Sequence, residues 1–229
     1  VQILKAGQTG IKAHPFPGFS ALYTSAMFSR QLKDKQSIDD LLNYSFGLIY
    51  AGAVSLAVAT FYFQDEIMNL LYVDANGAFG PVLGWLMFSF IGVAGTYILG
   101  TLLTANGDLK RLNWLFVIGI VVNLGLNLVL IPLKQAEGAA IATVVTQSIV
   151  FLGQFFLVHK ELKFAFSTTQ VLRLLFYLGL CFGLVSGIKV LIPMDWPMVF
   201  LIAILVQLVL AVLLKLVNFK FLFEFIPRK

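Results

Sequence analysis

Residues 113–147 read NWLFVIGIVVNLGLNLVLIPLKQAEGAAIATVVTQ, two apolar helical runs joined by a short break around Pro132 and Gly138. Asn123 and Asn127 stand four apart and share a helix face with Gly119; Ala139, Thr143 and Gln147 repeat that spacing on the second run. An amide or hydroxyl inside hydrocarbon is costly unless it finds a hydrogen-bond partner or a water-lined cavity. The two stripes are therefore expected to face protein or solvent, not acyl chains. Two accounts of Asn123, Asn127, Thr143 and Gln147 follow: polar glue between helices, or the wall of a substrate cavity.

Working outward, the whole chain shares the oily character of this stretch. Of its 229 residues 59% are hydrophobic and only 12% charged, and the mean hydropathy is +0.92. Soluble domains carry about a quarter of charged residues, so an ordinary soluble fold is excluded. Runs of about 20 residues recur at 43–63, 79–104, 112–132, 138–158, 171–192 and 197–217. Each is long enough as a helix to cross a hydrocarbon core of about 30 Å. The predicted fold class is an all-α polytopic membrane protein with six transmembrane helices.

The net charge of +5 would suit nucleic acid, but its distribution excludes that partner. With loops assigned alternately to the two sides, one side takes every cation except Lys134, in the opposite set of loops, and Lys189, inside the fifth span. Such asymmetry is the positive-inside pattern, and it predicts that both termini are cytoplasmic. Asp65, Glu66, Asp74, Glu137 and Asp195 fall on the other side, where Asp65 and Glu66 are expected in a solvated loop. Cys181, the single cysteine, excludes an intrachain disulfide. The chain opens at Val1 and is read as a piece of something longer.

Ahead of the first span, Phe19, Leu22, Tyr23 and Ala26 fall at helical spacing, which predicts an amphipathic helix at the cytoplasmic interface. Pro15 and Pro17 suit its start, and Ser37 with Asp40 resembles a capping box for the first span. Gly52, Ser55 and Ala59 mark one side of that span. Ser89, Gly92, Thr96, Gly100 and Thr104 form a small-residue stripe on the second, and Gly179, Gly183 and Gly187 a ridge on the fifth. Stripes of this kind let helix backbones approach closely, so these glycines are assigned to packing. The sixth span is almost free of small or polar residues except Gln207, and is expected to face lipid over most of its surface. Lys189 stands four residues before Pro193, close enough to the span's end to snorkel outward or to meet an anionic headgroup. His14 and His159 lie in loops, and no metal-ligand spacing or glycine-rich phosphate loop occurs. No enzyme activity, cofactor, catalytic residue or metal site is predicted.

Three segments together, NLGLNLVLIPLKQAEGAAIATVVTQ, GTLLTANGDLKRLN and PFPGFSALY, resemble the C-terminal part of a known family. It is the polysaccharide and oligosaccharidyl-lipid flippase branch of the multidrug/oligosaccharidyl-lipid/polysaccharide exporter superfamily. The carrying residues are Asn123, Asn127, Leu130, Ile131, Pro132, Gly138, Ala139, Ala140, Ala142 and Thr143. The chain departs from the pattern at Gln135 and Val73, where that family often has glycine. The resemblance implies a fourteen-span exporter of the bacterial inner membrane, of which this chain holds about the last six spans. Residues 1–42 would form a cytoplasmic segment, 43–158 four helices of the second lobe and 159–170 a cytoplasmic loop. An appended helix pair at 171–217 and a tail at 218–229 would complete it. The implied activity is alternating-access translocation of a lipid-linked glycan for cell-envelope assembly. The implied partners are that glycan, membrane lipids and the N-terminal spans of the same protein. A cation-coupled drug or metabolite antiporter would need a carboxylate inside a span, and a membrane glycan transferase would need catalytic groups in longer loops. A purely structural bundle is the remaining alternative, kept open by the glycine ridge.

Overall fold

A computed structural model describes residues 28–33, 38–72, 79–162 and 168–217, and every regular element among them is a helix. Hydrocarbon offers no partner to a backbone N–H or C=O, and a helix pairs both within its own segment. α1 occupies residues 28–33 and α2 runs Asp39–Tyr62; α3, Gln64–Leu71, follows after the single residue Phe63. α4 is Gly80–Asn106, α5 Leu109–Leu162, α6 Thr168–Leu191 and α7 Trp196–Leu213. α4 and α7 each carry a proline in the first turn, where the lost N–H has no helical partner to lose. Five of these helices, α2, α4, α5, α6 and α7, are long and apolar enough to cross a bilayer.

A straight α5 of 54 residues would measure about 81 Å, more than twice a bilayer core. The helix folds back instead at Gln135, whose φ of 51° and ψ of −128° are not helical. Asn123 bonds Thr146 across the fold. A Cβ at Gly119 would lie 2.7 Å from Val150, one at Gly153 2.8 Å from Leu115, and one at Gly138 would collide with the Leu130 carbonyl. These pairs close on Gln135 in step, so arms 109–134 and 136–162 pack antiparallel as a hairpin. The break expected between Pro132 and Gly138 falls at Gln135. The helix runs through Pro132, and the chain turns three residues later. Gly138 does not open the second arm but lies inside its first turn, bare because the Leu130 backbone occupies the space.

The other helices alternate in direction around α2. α4 runs parallel to the second arm, with Trp85 beside Glu137, Gly92 against Gln147 and Gly100 against Gln154. α6 runs parallel to α2 through Gln170 to Asn43, Tyr177 to Ser55 and Tyr62 to Phe182. α7 is antiparallel to α2, since Phe200 packs on Phe63 at 5.9 Å and the Leu216 carbonyl approaches Gly47. Two cores result. One joins α2 to α6 and α7 around Val54, Val58, Tyr177, Cys181 and Ala203; the other joins α1, the start of α2, α4 and α5 around Phe28, Leu42, Leu99 and Leu103.

Several local expectations change. Asp65 and Glu66 sit in α3, not in a solvated loop, because the helix resumes directly after Phe63. α5 reaches Leu162 and α6 begins at Thr168, which narrows the connection expected at 159–170. The buried line of α7 is Val199, Ala203, Gln207 and Ala211, so small residues do matter there, while Leu201, Leu205, Val209 and Leu213 are exposed. On α2, Ser55 and Ala59 are buried but Gly52 is exposed. The N-cap of α2 is Ile38, without a side-chain cap bond. The expected helix over Phe19–Ala26, Pro15, Pro17, His14, Ser37, Val73 and the tail at 218–229 lie outside the described residues. α4 ends as the sequence suggested, at Gly107 with φ 88°, where Asp108 N–H bonds the Leu103 carbonyl.

Candidate functional site

The polar seam of the α5 hairpin is built from one stripe of each arm. Asn127 Nδ2 donates to Asn123 Oδ1 at 2.9 Å, and Asn123 Nδ2 donates to Thr146 Oγ1 at 3.2 Å. The asparagines thus face the second arm, with Leu124 and Leu128 beside them exposed. Asn127 Oδ1 is buried without a hydrogen-bond partner. Thr143 Oγ1 bonds the Ala139 carbonyl of its own helix at 2.9 Å, an intrahelical bond that holds no other segment. Gln147 is half-buried, and its Cβ and carbonyl lie against Gly92, where a Cβ would come within 3.0 Å. The partner of Asn123 is therefore Thr146 and not Thr143. A tight turn at Gln135 would have pointed to it, since the two residues lie almost equally far from that turn.

At the other end of the hairpin Arg111 forms ion pairs with Glu161 and Asp108. The guanidinium holds the Glu161 carboxyl below its usual range by hydrogen bond and charge. A lowered folded pKa means that this contribution is present above the unfolded carboxylate pKa and fades as acid protonates Glu161. Arg111 is solvent-exposed and Glu161 half-buried at the helix end, so salt screens the pair in part.

Lys189 has partners in the protein. Its Nζ donates to the Tyr62 carbonyl at 2.7 Å and to Glu66 Oε1 at 3.0 Å, and lies 4.8 Å from the centre of the Phe63 ring. Tyr62 is the last residue of α2, so the ammonium meets one of the carbonyls that a helix end leaves unpaired. The snorkelling expected of Lys189 leads to this junction, and ties α6 to α2 and α3.

A cleft of about 520 Å³ lies between α2, α4, the second arm of α5 and α6. Its wall is largely aromatic: Tyr50, Phe61, Trp85, Phe88, Phe151 and Phe182, with Gly92 and Ser148 among the remainder. Phe88 and Phe182 stack at 5.9 Å across it. Asn123, Asn127, Thr143 and Gln147 are not among its lining residues. The aromatics went unassigned in the sequence because they come from four helices, two each from α2 and α4 and one each from α5 and α6, and only packing brings them together.

The packing glycines divide. Gly92 and Gly100 face Gln147 and Gln154 in the second arm, and Gly95, not singled out above, receives the Phe151 ring at 2.5 Å from its notional Cβ. No described atom lies within 4 Å of a Cβ at Gly179, Gly183 or Gly187. The ridge of α6 therefore lies on the outside of the described bundle. The buried contact of α6 with α2 is made instead by Tyr177, whose hydroxyl meets Ser55 Oγ at 2.7 Å and the Ala51 and Gln207 carbonyls at 3.2 Å.

These features define a class: a helical, multi-pass membrane protein with a polar hairpin seam and an aromatic cleft. No protein-family model and no curated protein matches the chain. Among the described residues no group of three His, Cys, Asp or Glu is placed to hold a metal ion.

Proposed function

We propose that this chain is the C-terminal part of an exporter that moves a lipid-linked oligosaccharide or polysaccharide repeat unit across the bacterial inner membrane. In this reading each arm of α5 crosses separately, so the chain holds six of fourteen spans, and the N-terminal spans supply the rest of the central passage. Both termini are cytoplasmic, because the end of the bundle that carries Lys33, Lys110, Arg111, Lys160, Arg173 and Lys215 stays inside. The transport step needs no covalent chemistry, only a substrate that binds the inward-open and outward-open states differently.

The observation that carries the reading is the hairpin seam. Asn123 bonds Thr146 of the second arm, and Asn127 Oδ1 remains buried with bonding capacity unused. A sugar hydroxyl or a water would fill that capacity. The aromatic cleft adds support, since a wall of Phe, Tyr and Trp suits the hydrocarbon part of a lipid carrier. The Asp and Glu residues of the described helices lie near helix ends, which disfavours an antiporter relying on a mid-span carboxylate.

The test is translocation of a fluorescent lipid-linked glycan in vesicles containing the full-length protein, with Asn123→Leu and Gln147→Leu as variants. The expected result is a several-fold slower rate in both with the fold intact. Transport at the parental rate in both variants would remove these residues from the passage.

A further inference from the structure

α3 is amphipathic, and Gln64, Asp65 and Glu66 reach neighbouring helices although Asp65 and Asn69 remain exposed. A Cβ at Gly80 would collide with the Asp65 carboxylate, and one at Gly84 with the Gln64 amide oxygen, so both polar groups rest on bare backbone of α4. Glu66 pairs with Lys189 of α6. The last turn points away: Leu70 is 72% exposed, Leu71 63% and Tyr72 59%. Beside a purely aqueous boundary three consecutive exposed apolar residues would cost free energy.

Continuity with the membrane face accounts for that exposed apolar turn. α3 begins one residue after α2, a helix long and apolar enough to span, so it sits where that helix leaves the hydrocarbon. The Tyr72 ring lies 6.5 Å from Phe79, the residue that precedes α4. From Phe79 an exposed apolar band continues along α4 through Leu86, Phe90, Val93 and Tyr97, spaced at helical intervals on one side. We propose that α3 lies in the headgroup layer at one bilayer boundary, with Leu70, Leu71, Tyr72 and Phe79 inserted into lipid. The occupant of this surface is bilayer phospholipid. Leucine supplies apolar area to the acyl boundary, while tyrosine places its hydroxyl among the headgroups. Through Asp65, Glu66 and Lys189 the lipid-held helix braces α4 and α6 against the end of α2. The inference rests on the membrane reading of the helices and not on the identity of any cargo.

Spin labelling of the full-length protein in phosphatidylethanolamine/phosphatidylglycerol vesicles tests it. With Cys181→Ala as background, a nitroxide is attached at Leu71→Cys or at Leu70→Cys, and at the exposed Lys110→Cys as an aqueous reference. The ratio of oxygen to nickel-chelate accessibility is expected to be several-fold higher at 70 and 71 than at 110. A ratio equal to that at 110 would place the helix in water and overturn the proposal. Low accessibility to both reagents would also overturn it, by showing that protein covers the surface.

Discussion

Gln135 is where one side chain stands against its own backbone. Its φ of 51° with ψ of −128° is a conformation that glycine adopts freely and a residue with a Cβ does not. The residue is kept there by what surrounds it: Lys134 and Glu137 bridge the turn at 3.5 Å, and Trp85 Nε1 holds Glu137 at 3.2 Å. Gln135→Gly is expected to stabilise the protein by roughly 1 kcal/mol, read as a higher unfolding midpoint in detergent. An unchanged or lowered midpoint would show that the glutamine side chain contributes an offsetting contact. The spacing of Pro132 and Gly138 placed a break in this interval, but not the residue at which the chain turns.

Between helices, attraction in a bilayer comes from close packing and hydrogen bonds, since lipid tails are as apolar as leucine. The α5 hairpin has both, in the tight approaches at Gly119 and Gly153 and in the Asn123–Thr146 bond. A double-mutant cycle on Asn123→Leu and Thr146→Val should give a coupling of about 0.6 kcal/mol, with 1.7 as a reasonable ceiling. A coupling of zero would mean that the bond is not made in the bilayer. The stripes were legible as polar faces from their four-residue spacing. Their partners were not, because spacing within a helix says nothing of the register between two. α3 was illegible for a related reason: Asp65 and Glu66 read as a solvated loop, and only the fold shows the helix, with Asp65 beside Gly80 and Glu66 paired with Lys189.

Across the whole molecule α2 is the shared element, in contact with α6 and α7 on one side and with α4 on the other. Its tightest approach is at Gly47, where the Leu216 carbonyl fills the place of a Cβ and backbone would have to move to admit one. Gly47→Ala is therefore expected to lower stability by about 1–3 kcal/mol, an overpacking cost. Gly183→Leu, facing open space, should leave the unfolding midpoint within about 0.5 kcal/mol of the parent. Thermal unfolding of both variants in detergent makes the comparison. Loss of an oligomer in Gly183→Leu, with the fold retained, would identify the ridge of α6 as an assembly surface.

Composition and long apolar runs alone determined that the chain is helical and built for a bilayer, because apolar runs of about 20 residues fit the hydrocarbon as helices, which pair their own backbone groups, and are too long for barrel strands. The loop cations determined a two-sided arrangement for the same reason that charge avoids oil. Only the tertiary structure decided that the asparagines face Thr146, that Lys189 caps α2, and that one glycine ridge packs on nothing described while Gly47, Gly92 and Gly95 do the close packing. Those outcomes depend on how helices rotate and slide against one another, and a periodicity is the same whichever neighbour it meets.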